Sequence, residues 1–133
     1  MPALDTNVLV RYLVQDDASQ LAAAQQLIRK CVSERQTLFV PVTVALELEW
    51  VLRSNFGYPK ATTIDVLSSL LSTVDLSFES EQALEIALDL YRNNTADFAD
   101  CLHIALAAQA GEQPLWTFDQ RAARVHGAQG MKA

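Results

Sequence analysis

Hydrophobic residues along the chain fall into two alternating patterns, short apolar runs and longer stretches of helical spacing. Residues 2–4 read as a short strand. "TNVLVRYL" follows, with Val8, Leu9, Tyr12 and Leu13 at helical spacing. "ASQLAAAQQLIRKCV" (18–32) predicts a helix opened by Ala18 or Ser19, with Leu21, Ala24, Leu27, Ile28 and Cys31 forming its apolar stripe. "TLFVP" (37–41) reads as a buried strand stopped by Pro41, and "VTVALELEWVLRSNF" (42–56) as a helix ending near Gly57. "KATTIDVLSSLLS" (60–72) is a further helix, and "TVDLS" (73–77) a short strand. Two more helices follow, "ESEQALEIALDLYRNN" (79–94) and "DFADCLHIALAAQAG" (97–111), the second stopped by Gly111. "PLWTFD" (114–119) is a strand and "DQRAARVHG" (119–127) a short helix. The tail "VHGAQGMKA" contains no clear apolar strand. Strands alternating with helices or helix pairs imply a parallel sheet covered on both faces, an α/β/α domain.

In open parallel sheets, sites form beyond the carboxyl ends of strands. Asp5 follows the first expected strand and Asp119 the last, so the two converge if those strands are neighbours. Each also has an ordinary explanation, because Asp is a preferred helix N-cap. Asp97 and Asp100 lie three apart on one helical face, where a helix start also favours carboxylates. Glu47 and Glu49 sit in a helix that is apolar nearly all round and therefore expected to be mostly buried. Glu49 has Arg53 at i+4, whereas Glu47 has Val51. An unpaired buried carboxylate is costly, so Glu47 is the better candidate for a functional site. His103 shares a face with Asp100, but among Leu102, Ile104 and Leu106 it reads as a packing or peripheral residue. No nucleotide-binding glycine motif, P-loop, CxxC, HExxH or serine elbow is present.

Composition narrows the class. With 133 residues, half of them hydrophobic, the chain suits one domain with a real core. No apolar run approaches a membrane span, and the start lacks signal-peptide features, so the expected location is the cytoplasm. Cys31 and Cys101 read as reduced packing residues. The net charge is −6, carried wholly by residues 61–133, with ten acidic and four basic side chains. Such a balance does not suggest a polyanion binder. Bound cations would change this, since two divalent ions bring the total to about −2.

Four blocks in order carry a resemblance: "LDTNVLVRYLVQDD", "VALELEWVL", "DFADCLHIALA" and "LWTFDQRAAR". Together they resemble the PIN-domain family, in its VapC-type branch of bacterial toxins, over about the whole chain. The resemblance implies a single PIN domain, residues 1–133, of three layers around a central parallel sheet of four to five strands. The family usually has one more short strand near the C-terminus, which this tail does not plainly show. The implied activity is that of a metal-dependent endoribonuclease, the toxin of a type II toxin–antitoxin pair.

Carried over by position, the family's catalytic acids fall on Asp5, Glu47, Asp100 and Asp119. Asp97 is an additional acid, and Asp5, Asp97, Asp100 and Asp119 are the implied metal ligands. Asn7 and Thr117 match supporting polar positions. Arg11, Arg121 and Arg124 are placed to offer phosphate contacts. Mg²⁺ or Mn²⁺, one or two per site, suits an all-oxygen ligand set and relieves the repulsion within an acidic cluster. Metal charge then stabilises both the attacking and the leaving oxygen of an in-line hydrolysis. The implied partners are an RNA substrate, with tRNA and rRNA as candidates, a VapB-like antitoxin and a second copy of the chain, with no membrane. An aspartyl-phosphate phosphatase is disfavoured, because it needs a second Asp where this chain has Asn7. A silent PIN module is disfavoured by retention of every acid. A non-toxin PIN nuclease of RNA processing is not separated from a toxin by sequence.

Overall fold

The structure is a computed structural model describing residues 1–133, and its chain forms two compact units, Met1–Glu79 and Ser80–Ala133.

The first unit begins with an extended segment whose Ala3 bridges Phe39 in parallel. Helix α1 (Thr6–Val14) and helix α2 (Ala18–Ser33) follow, then strand β1 (Leu38–Val40), α3 (Val42–Ser54), α4 (Lys60–Leu71) and β2 (Leu76–Phe78). β1 pairs in parallel with β2, Phe39 opposite Ser77. β1 is therefore central, with residues 2–4 on one side and β2 on the other. Leu4, Leu9, Val10, Leu38, Val40, Leu48, Leu52 and Leu67 are buried. Burying each such aliphatic side chain contributes about 1.5–3 kcal/mol.

Local chemistry explains where this unit departs from the sequence pattern. α2 is capped by Asp17, not by Ala18 or Ser19: its carboxylate accepts from the Gln20 amide at 3.0 Å. That hydrogen bond holds the Asp17 carboxyl below its ordinary pKa. The strand expected over 73–77 begins only at Leu76. Ser72 and Thr73 donate their hydroxyls back to Ser68 and Ser69 carbonyls, closing α4, and the chain then turns with Val74 88% exposed. α3 is not enclosed on all sides, since Trp50 is exposed. Pro41 at its N-cap position provides no side-chain cap. Glu79, beyond β2, supplies one instead, its Oε1 accepting from the Val42 amide at 2.8 Å.

The second unit contains α5 (Glu81–Asn93), α6 (Phe98–Gln109), β3 (Leu115–Thr117), a 3₁₀ turn (Ala122–Arg124) and β4 (Ala128–Gly130). β3 and β4 pair in parallel, Trp116 opposite Gln129. Leu84, Leu88, Tyr91, Phe98, Leu102, Ile104 and Val125 form its core, and the Tyr91 and Phe98 rings meet at 5.5 Å. The tail does contain a strand. β4 needs no apolar side chain of its own, because its pairing is made by backbone groups, and Met131 N–H continues the ladder to Thr117 O at 2.8 Å. Gly127 enters it at φ +98°, where a Cβ would lie 3.0 Å from Ile104 Cγ2. The helix expected over 119–127 is reduced to the 3₁₀ turn.

The architecture is thus α/β, with helices and parallel strands in each unit. The strand pairings give two parallel two-stranded sheets and do not establish one sheet of four to five strands. Cys31 and Cys101 are buried and not disulfide-bonded. No helix is long and apolar enough to cross a membrane.

Candidate functional site

The first unit presents Asp5 at the end of its extended segment. Asp5 is the N-cap of α1, and its Oδ1 accepts from the Thr6 amide at 2.7 Å. The carboxylate is exposed and its Oδ2 makes no hydrogen bond. The cap and an open ligand oxygen therefore coexist in one side chain.

Thr6 is buried, and its hydroxyl donates to Glu47 Oε1. This bond ties the first residue of α1 to the middle of α3. Glu47 is exposed; it is Glu49 that is buried, at 2% exposure, and it is paired with Arg53. The expectation of a mostly buried helix is corrected on this point: α3 turns Leu48, Glu49 and Leu52 inward and leaves Glu47 at the surface. Reading α3 as buried all round concealed Thr6 as its partner. The signal in the sequence was the Thr of "DTN", which could serve as more than a second cap candidate.

Asn7 is exposed at the start of α1. With Arg11, Gln20, Ala24 and Leu27 it lines an open cleft of about 350 Å³ between α1 and α2. Arg11 Nη1 lies 2.5 Å from Asp16 Oδ1, so this guanidinium is already paired within its own unit.

In the second unit Asp97 occupies the N-cap position of α6 but makes no capping hydrogen bond. Its exposed carboxylate is not spent on the helix. Asp100, one turn on, is only partly exposed. Its carboxyl is pushed above the ordinary value, first by desolvation, then by the negative charges of Asp119 and Asp97, with His103 opposing. Three acids of this unit therefore feel one another's field. His103 is exposed and acts on Asp100 through charge.

Asp119 follows β3 and caps the 3₁₀ turn, its Oδ1 accepting from the Arg121 and Ala122 amides at 2.9 Å each. Its Oδ2 is not hydrogen-bonded. Thr117 orients this loop, its Oγ1 accepting from the Asp119 amide at 3.0 Å. Arg121 and Arg124 are both exposed.

All donors in this set are carboxylate oxygens, the chemistry that Mg²⁺ and Mn²⁺ prefer. No three His, Cys, Asp or Glu side chains are gathered closely enough to enclose an ion.

A PIN-domain sequence profile matches residues 3–128. Among curated relatives, a VapC ribonuclease of Aquifex aeolicus (strain VF5) is 25% identical over 121 residues, covering 91% of this chain and 89% of the relative.

Proposed function

The chain belongs to the PIN-domain family, and we propose that it is a metal-dependent endoribonuclease of the VapC type, the toxin of a toxin–antitoxin pair. One observation carries the reading: Asp100 is held above its ordinary pKa first by desolvation and then by the charges of Asp119 and Asp97, a repulsion that a divalent cation would relieve. The likeness to a VapC ribonuclease along most of both chains supports RNA as substrate and a VapB-type antitoxin as partner. The profile match from residue 3 to 128 supports reading both units as one PIN domain, with the family's central sheet. A homodimer belongs to the same reading.

In this proposal Asp5, Asp97, Asp100 and Asp119 hold Mg²⁺ or Mn²⁺, one or two ions, and Glu47 completes the acidic set. When bound, the cation supplies charge that polarises the scissile phosphate and lowers the pKa of water. The residues of the chain do the positioning. Thr6 fixes the Glu47 carboxylate, Thr117 and the cap at the 3₁₀ turn fix Asp119, and Asn7 stands beside Asp5 as a polar support. Arg121 and Arg124 are free at the surface to meet phosphates, whereas Arg11 must share its charge with Asp16.

The test is cleavage of RNA by the purified protein with and without Mg²⁺ or Mn²⁺. Activity is expected to disappear in EDTA and return with either ion. Cleavage undiminished in EDTA overturns the metal-dependent mechanism. For the toxin role, expression is expected to arrest growth, and co-expression of a neighbouring small antitoxin gene to relieve it.

A further inference from the structure

Pro41 leaves a gap at the junction of β1 and α3, and Glu79 closes both sides of it. Proline has no N–H, and at the N-cap position of α3 it offers no side-chain acceptor. The groups on either side are the Val40 carbonyl at the end of β1 and the Val42 amide at the start of α3, where a helix leaves its N–H groups without partners. Glu79 meets both with one residue. Its backbone N–H donates to Val40 O at 2.9 Å, and its Oε1 accepts from the Val42 amide at 2.8 Å. The carboxylate also stands at the end of α3 where negative charge complements the helix dipole.

The same edge carries Asp5. Leu4 N–H donates to Phe39 O and Glu79 N–H to Val40 O, so residues 2–4 and β2 run parallel to β1 and end at one edge with it. Asp5 leaves that edge on one side of β1 and Glu79 on the other, and α3 starts between them. Ala45, Leu48 and Leu52 bury the inner face of α3. Apolar burial is non-directional, so by itself it sets neither the rotation nor the slide of a helix. Two hydrogen bonds supply the direction: Glu79 holds Val42, and Thr6 holds Glu47. The two held residues are about 7.5 Å apart along the helix axis.

We propose that Glu79 is a positioning residue of the metal site, acting on the Glu47 carboxylate through α3. It touches neither metal nor RNA in this role. Without its carboxylate the first turn of α3 loses its only side-chain cap, and Glu47, on the following turn, is no longer set relative to Asp5. A displacement of about 1 Å at such a site costs up to about a hundredfold. Thr6 and Glu79 thus hold one helix from its two neighbours, the N-terminal segment and β2. This inference rests on the metal-dependent ribonuclease reading and adds to it a residue outside the acidic set that decides how well the set binds its ion.

The test is calorimetric titration of the full chain with Mn²⁺ in the absence of RNA, so that binding is read apart from cleavage. Glu79 is exposed, and its replacement leaves the core intact. Glu79→Ala is expected to weaken Mn²⁺ binding about tenfold, the lower range for losing an outer partner of a metal site. Glu79→Gln, which keeps an oxygen for the Val42 amide, is expected to bind like the parent. In a Glu47→Gln background Glu79→Ala is expected to cause no further loss, because the two act through one carboxylate. Asp17→Ala removes the comparable cap of α2 and is expected to lower the melting temperature as much while leaving Mn²⁺ binding unchanged. If Glu79→Ala binds Mn²⁺ as tightly as the parent, the positioning role is overturned and the ribonuclease reading stands. The same holds if its effect persists without the Glu47 carboxylate, or if Asp17→Ala weakens binding equally. If the parent binds no Mn²⁺, both fall.

Discussion

Thr6 donates its hydroxyl hydrogen bond to the carboxylate of Glu47, joining the N-terminus of α1 to the surface of α3. The donor is buried and the acceptor exposed, so a group packed in the interior holds one at the surface. Asp5 precedes Thr6 directly, and the two proposed acids of the first unit are thereby set by adjacent residues. Thr6 is a positioning residue in this arrangement.

Thr6→Val, which keeps the shape and removes the hydroxyl, is expected to raise the Mg²⁺ concentration needed for half-maximal cleavage by about 10- to 100-fold, the usual cost of losing an outer partner of a metal site. Thr6→Ser is expected to restore it. A metal titration of both variants decides this; equal behaviour of Val and Ser variants refutes a positioning role.

Asp119 combines two functions that substitution can separate. Asp119→Asn keeps an oxygen for the Arg121 and Ala122 amides and is expected to fold normally yet lose cleavage at least a hundredfold. Asp119→Ala loses the cap as well and is expected to cost about 1 kcal/mol of stability. Chemical denaturation alongside RNA cleavage measures both. Retained activity in the Asn variant would mean that Asp119 is only a cap.

The pH dependence follows from Asp100. Its folded carboxyl lies above the ordinary value, so the native state binds that proton more tightly than the unfolded chain does. Its ionised form therefore destabilises the metal-free protein at neutral pH. The penalty fades as pH falls through the folded pKa toward the unfolded value of 3.8. Asp100→Asn is expected to raise the melting temperature of the EDTA-treated protein by a few degrees at neutral pH, with the gain shrinking in acid. Mg²⁺ is expected to raise the melting temperature of the parent but not of this variant. Thermal melts across pH, with and without Mg²⁺, test both statements.

Arg53 has a structural task. It pairs with the buried Glu49 carboxylate one helical turn away. Arg53→Met is expected to destabilise the fold by about 1–3 kcal/mol, less than for a wholly buried pair because the guanidinium is a third exposed. Metal affinity at the proposed site is expected to be unchanged. A variant as stable as the parent would show that Glu49 is satisfied without Arg53.

Much of this was legible along the chain. Helices α1 to α6 follow from periodicity because each depends on residues three and four apart, and β1 and β3 from short apolar runs between breakers. Asp119 stands after β3 as expected, Asp5 after an extended segment with a single bridge at Ala3, and both turn out to be caps. Their carboxylates have two oxygens, and a cap uses only one. The ion pair of Glu49 with Arg53 was also readable, since both partners lie on one helix. Wrong local inferences have local causes. The hydroxyls of Ser72 and Thr73 take up the backbone that would have started β2 earlier, and Asp17 outcompetes the two residues after it as cap of α2.

Folding decided the rest, because it brings together groups that no spacing rule connects. Thr6 meets Glu47 across 41 positions, and Glu79 caps α3 from 37 residues away. β4 forms from "AQG", whose side chains give no strand signal, because parallel pairing with β3 needs only backbone donors and acceptors and the room that Gly127 leaves. The raised pKa of Asp100 comes first from its partial burial and then from Asp119, nineteen residues on and carried by another element. Burial divides Glu47 from Glu49 in the same way, since an α-helix with apolar residues on every side does not announce which face its neighbours will cover. Local pattern settles what depends on adjacent turns and alternate residues; partners distant in sequence and the direction of exposure exist only once the chain has closed on itself.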